Sequence, residues 1–169
     1  MGKGKELFER FVENYRGNYD SEELILAVED ITENEETLED SFGSDRLYSI
    51  FGAVRDLLEE EIKKKTGETP NLRVIDRLWD FKDSQGLIYD RDKKAVLVDE
   101  EFKYLTSPWD LGAFVKTLAR IYNEAVLSAK SLYGVELEPI DPEDMLKEVE
   151  ELINEAKEEL SEEDYGPDL

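Results

Sequence analysis

Apolar residues recur at three- and four-residue spacing along most of this chain, the mark of amphipathic helices. The longest such pattern covers 109–133, where Leu111, Phe114, Val115, Leu118, Ile121, Tyr122, Ala125, Ala129, Leu132 and Tyr133 recur. With Ala119 and Val126 they fill an arc of roughly 160°, wider than a surface helix needs. The pattern therefore predicts a helix packed from more than one side, with the rest of the chain arranged around it. Ser107 is placed to cap it, Pro108 suits its first position, Asp110 favours its dipole, and Gly134 is placed to end it.

Similar stripes predict the other helices. Leu7, Phe8, Phe11, Val12 and Tyr15 share a face over 5–16, which Gly17 closes. Asp20 or Ser21 opens a second helix with Leu24, Ile25, Val28 and Ile31 inward. A third runs from Ser44 to about Thr66 on Ile50, Phe51, Val54, Leu57, Leu58 and Ile62; Glu61 falls on its stripe, one turn from the end. Thr69-Pro70 reads as a cap and first position for a short helix carrying Leu72, Ile75, Leu78 and Trp79. Asp141-Pro142 opens the last helix, with a narrow stripe from Met145 to Leu160.

Alternation replaces helical spacing only near 86–99. Leu87-Ile88-Tyr89 and Ala95-Val96-Leu97-Val98 flank the polar turn Asp90-Arg91-Asp92-Lys93-Lys94, which predicts a hairpin. An isolated hairpin is unstable, so it must lie on helices or pair with another chain. The segment VELEPI after Gly134 is extended and could add a strand. The predicted fold is mostly α, of α+β class: a bundle of about five or six helices around the helix at 109–133, with one β-hairpin at about 86–99. Residues 1–160 read as one domain and 161–169 as a disordered acidic tail.

Composition adds mainly exclusions. At 169 residues and 40% hydrophobic content the chain can bury a core. No apolar run is long enough to span a membrane, and charge interrupts the first residues too often for a secretory leader, so a cytoplasmic location is expected. There is no cysteine, which removes disulfides, thiolate catalysis and Cys-ligated metal centres. There is no histidine either, which removes the usual general base and the commonest metal ligand.

The net charge is −23, with 44 acids against 21 bases. Attraction to nucleic acid or anionic membrane is disfavoured for the chain as a whole. Abundant Glu, more Lys than Arg, and scarce Met resemble thermophile composition, with halophily the second reading. Seven acids and no base fall between residues 29 and 40, namely Glu29, Asp30, Glu33, Glu35, Glu36, Glu39 and Asp40. Repulsion at that density predicts a frayed loop. The final helix adds Glu151, Glu155, Glu158 and Glu159, and residues 136–168 carry 15 acids against Lys147 and Lys157.

Three functions fit these patterns. The first is a non-enzymatic, acidic protein-interaction or regulatory module, using the acids just named to dock a basic partner or a second copy, with no cofactor. The second is a winged-helix-like nucleic-acid binder. Residues 63–94 are net +3, with Arg73 and Arg77 one turn apart on the predicted short helix and Lys93 and Lys94 at the hairpin tip. The third is a carboxylate-metal phosphohydrolase. Glu-x-x-Glu pairs such as Glu6/Glu9 and Glu148/Glu151 can hold magnesium when they face each other across a cleft. Asp90 and Asp92 lack the further oxygen ligands and the glycine of a calcium loop, and no phosphate-binding glycine loop is present.

Overall fold

The computed structural model describes residues 2–33, 45–75, 87–98 and 110–164, without the side chains of 45–47, 163 and 164. Among the described residues, five helices and three strands follow in the order α1 (Lys3–Arg16), α2 (Ser21–Glu33), α3 (Asp45–Thr66), β1 (Leu72–Ile75), β2 (Leu87–Asp90), β3 (Ala95–Val96), α4 (Leu111–Tyr133) and α5 (Pro142–Asp164). The protein is mostly helical with a small antiparallel sheet, as the apolar spacing predicts.

α4 buries ten residues, from Phe114 to Ala129, and touches α1, α2, α3 and α5. Its wide apolar arc is thus covered from several sides. α1 meets the other four helices too, and its most extensive contact is with α3. Aromatic side chains fill the seam between α1 and α4. Phe11 meets Phe114 edge-on at 4.7 Å between ring centroids, and Tyr15 stacks on Phe11 at 5.4 Å. Such contacts add about 0.5–1.5 kcal/mol each beyond burial alone.

Local signals set most of the helix ends. Gly17 stops α1 with φ 94°, a left-handed value that costs glycine nothing, and its N–H closes on the Glu13 carbonyl. The Asp20 carboxylate accepts the Glu23 N–H at the start of α2. Asp141 accepts the N–H groups of Glu143 and Asp144, ahead of Pro142 in the first turn of α5. α4 starts later than predicted: Asp110 is its cap, accepting the Ala113 N–H at 2.7 Å. Ser107, Pro108 and Trp109 lie outside the described residues.

Two further departures matter. The short helix predicted after Pro70 is strand β1 over Leu72–Ile75. Leu72 and Ile75 are buried and three apart, which suits a helix, but β1 instead pairs antiparallel with β2, Leu72 opposite Asp90 and Ile75 opposite Leu87. Distant pairing with the predicted hairpin overrides a short local pattern. Leu78 and Trp79 lie outside the described residues. The sheet order is β1-β2-β3, so the third strand is β1 rather than VELEPI, which remains extended. Val135, Leu137 and Ile140 of that segment are nevertheless buried.

The second departure concerns charge. α2 stays helical through Glu33 although Glu29–Glu33 were expected to fray. Ile31 is fully buried, worth about 1.5–3 kcal/mol, whereas repulsion between exposed carboxylates is screened by water and is weaker. Residues 34–40 lie outside the described residues. Likewise α5 runs to Asp164, four residues into the tail expected to be disordered, and 165–169 lie outside the described residues.

The sheet leans on the helices. β1 and β2 touch α3, and Ser128 of α4 donates to the Leu97 carbonyl at 2.6 Å. At the hairpin tip the buried Asp90 carboxylate accepts the N–H groups of Asp92 and Lys93, both at 2.8 Å. Asp90 therefore organises the turn itself.

Candidate functional site

The acidic positions predicted for partner docking fall on two helices in contact, α2 and α5. Glu29 and Glu33 are exposed on α2, and Glu151, Glu155, Glu158 and Glu159 are exposed on α5. Asp30 is half-buried and its carboxylate accepts the Tyr15 hydroxyl, so it braces α2 against α1. Glu35, Glu36, Glu39 and Asp40 lie outside the described residues. The Ser21 hydroxyl donates to Glu159 at 2.6 Å and ties the start of α2 to α5.

The electrostatic field of this surface registers on Tyr19, in the loop between α1 and α2. Its pKa is pushed up to about 12, by burial first and then by Glu9, Glu155 and Glu159. Carboxylates of α1 and α5 thus act on one phenol. Glu9 itself is raised above the usual carboxylate value, mainly by burial, with Lys5 opposing and Glu6 reinforcing. Among the described residues no ion pair engages Glu151, Glu155 or Glu158.

The basic segment is arranged differently from the expected reader. Arg73 is exposed, but on strand β1, opposite Tyr89. A strand side chain has no partner one helical turn away, so the helical face proposed for Arg73 and Arg77 does not form at Arg73. Arg77 lies outside the described residues. Lys93 and Lys94 do sit exposed on the hairpin turn, and the Lys93 ammonium lies 5.0 Å from the Tyr133 ring centroid. That contact ties the tip to the end of α4.

The Glu-x-x-Glu pairs do not assemble a metal centre: among the described residues, no group of three carboxylates is placed to hold an ion. Glu148 has another task. Its carboxylate accepts the N–H of Gly2 at 3.2 Å and of Lys5 at 2.9 Å, capping α1 from α5. α1 and α5 approach so closely there that a Cβ on Gly4 would lie 2.7 Å from Met145 Cγ.

This junction lines a cleft of about 540 Å³ whose walls include Lys3, Glu6, Glu61, Glu138, Asp141 and Glu148. Glu61, which falls on the stripe of α3, is half-buried on the cleft wall. Sequence spacing singles out Glu61 but not the cleft, because the walls come from α1, α3, α5 and the 134–140 segment.

No described helix is long and apolar enough to cross a membrane. Comparison with protein-family models, with curated proteins and with solved structures gives no match.

Proposed function

We propose that this protein is a non-enzymatic, acidic interaction or regulatory module that uses the α2–α5 surface to dock a basic partner surface, or the basic residues of a second copy. The observation that carries this reading is the set of exposed carboxylates on two packed helices, Glu29 and Glu33 on α2 and Glu151, Glu155 and Glu158 on α5. α2 contains no basic residue, and α5 only Lys147 and Lys157. Such a surface steers a basic partner and penalises an acidic one. A cytoplasmic setting suits a cysteine-free chain of this kind.

The test compares wild type with Glu151→Lys/Glu155→Lys/Glu158→Lys as bait. These positions are solvent-facing, so the fold should survive, which circular dichroism checks. A basic protein retained by wild type at low salt and lost by the triple variant supports the reading. Equal retention by both baits contradicts it.

A further inference from the structure

α4 buries most of its apolar surface but leaves one large apolar side chain in water. Leu127 is 71% exposed, and among the described residues only Tyr48, at 44%, is another large apolar side chain so placed. The other exposed residues of α4 are polar: Lys116, Arg120, Lys130 and Ser131. A single exposed leucine is ordinary, but Leu127 borders a groove of about 420 Å³ whose walls include Asn123, Val126, Leu137 and Pro139. The groove runs between α4 and the extended 134–140 segment, and the Asn123 bracket on the Ile140 backbone holds that wall in place. An apolar knob beside an apolar groove is self-complementary. Two copies related by a two-fold axis can each seat Leu127 in the groove of the other, as an isologous contact requires.

Charge favours the same occupant. Residues 116–139 carry Lys116, Arg120 and Lys130 against Glu124, Glu136 and Glu138, a net charge of zero in a chain of −23. Two strongly acidic copies meet with little repulsion on such a face, whereas a basic protein is drawn to the carboxylates of α2 and α5 instead. The order of the charges matters too. Glu124 lies three residues before Leu127 and Lys130 three after, so they flank it one turn away on either side. When two α4 helices run antiparallel across Leu127, Lys130 of each faces Glu124 of the other. Parallel pairing would set like charges together. Arg120, seven residues before Leu127, then faces the chain just after Gly134, where Glu136 lies. Lys130 already pairs with Glu136 of its own chain at 3.0 Å and stays 62% exposed, so it can take a second carboxylate.

We propose that this face is a homodimer interface in which two copies pack α4 against α4, antiparallel, with each Leu127 in the other's groove and each Lys130 against Glu124 of the second copy. The interface uses none of the α2–α5 carboxylates and stands or falls independently of them.

Sedimentation velocity over a range of micromolar concentrations tests this at about 150 mM salt, where the net repulsion between copies is screened. Wild type should sediment as a dimer at the upper end of the range. Leu127→Glu should weaken dimerisation at least about tenfold. Glu124→Lys and Lys130→Glu should each weaken it about three- to tenfold, and the double exchange Glu124→Lys/Lys130→Glu should recover to within about threefold of wild type. Ion pairs within one chain are disturbed in the double exchange as much as in the single ones, so recovery reports the contact between copies. Circular dichroism checks that each variant is folded, and the charge exchange carries the test if Leu127→Glu is not. Glu151→Lys/Glu155→Lys/Glu158→Lys should remain dimeric, which separates this interface from the α2–α5 surface. A monomeric wild type, a folded Leu127→Glu variant that still dimerises, or a double exchange no better than either single change would each overturn the assignment.

Discussion

Asn123→Ala is the substitution that most directly probes how the extended 134–140 segment is held. From the middle of α4, the Asn123 side chain brackets the backbone of Ile140. Its Nδ2 donates to the Ile140 carbonyl at 2.9 Å, and its Oδ1 accepts the Ile140 N–H at 2.7 Å. Ile140 is 6% exposed and belongs to no strand, so it has no ladder neighbour to replace the bracket. Removing the amide leaves two backbone groups unpaired, at about 1–3 kcal/mol each. Some recovery through water reduces the sum to about 2–4 kcal/mol. That is a large part of a typical domain's total stability of about 5–15 kcal/mol. For a chain of this length each kcal/mol lowers Tm by about 2–4 °C, so the expected fall is about 4–16 °C. Urea unfolding gives the free energy, and amide hydrogen exchange at Ile140 gives the local effect. Asn123→Asp, which keeps the acceptor and loses the donor, should fall in between. A loss under about 0.5 kcal/mol, or unchanged exchange at Ile140, would refute the reasoning.

Other residues make comparable predictions. Gly4→Ala gains about 1 kcal/mol of helix propensity, but its Cβ would lie 2.8 Å from Met145 Cβ and 3.2 Å from Met145 Cα. Overpacking against atoms that cannot swing away costs about 1–3 kcal/mol, and the strain falls on the Glu148 cap. A net loss of up to about 2 kcal/mol is expected in thermal melts; a more stable variant would show that α1 and α5 do not approach so closely. Asp90→Ala strips two turn N–H groups of their acceptor, and should cost about 1–3 kcal/mol in urea unfolding. Tyr19 ionises at about 12 against an ordinary 10. Its folded pKa is raised, so its contribution to stability is complete below pH 10 and lost as pH rises towards 12. Absorbance titration should show the late phenol, and Tyr19→Phe should lessen the stability lost between pH 10 and 12.

The helices were legible because each carries several apolar residues at helical spacing, and because Gly17, Asp20 and Asp141-Pro142 mark ends through local chemistry. The hairpin was legible for the same reason: its turn and both of its strands lie within about a dozen residues. β1 was not. Leu72 and Ile75 satisfy helical spacing, Thr69-Pro70 imitates a helix start, and only pairing with Leu87–Asp90 decides the matter. At α4 the Asp110 carboxylate, which the sequence marks as favouring the helix dipole, is the cap that accepts the Ala113 N–H. The acidic surface could be read in outline, since exposed Glu on an amphipathic helix stays exposed. The cleft could not, because Lys3, Glu61 and Glu148 come from three different helices that only the folded chain brings together. Asn123 gave no signal, because its partner is backbone and backbone carries no sequence.

The central claim is that the α2–α5 carboxylates engage a basic protein. Its most direct test immobilises the wild-type protein, exposes it to native lysate at low salt with and without nuclease, and elutes with a salt gradient. The account predicts a basic protein, or a second copy of this chain, that survives nuclease and leaves at moderate salt, as partly exposed ion pairs do. Loss of all bound material on nuclease treatment would contradict it and assign the binding to nucleic acid.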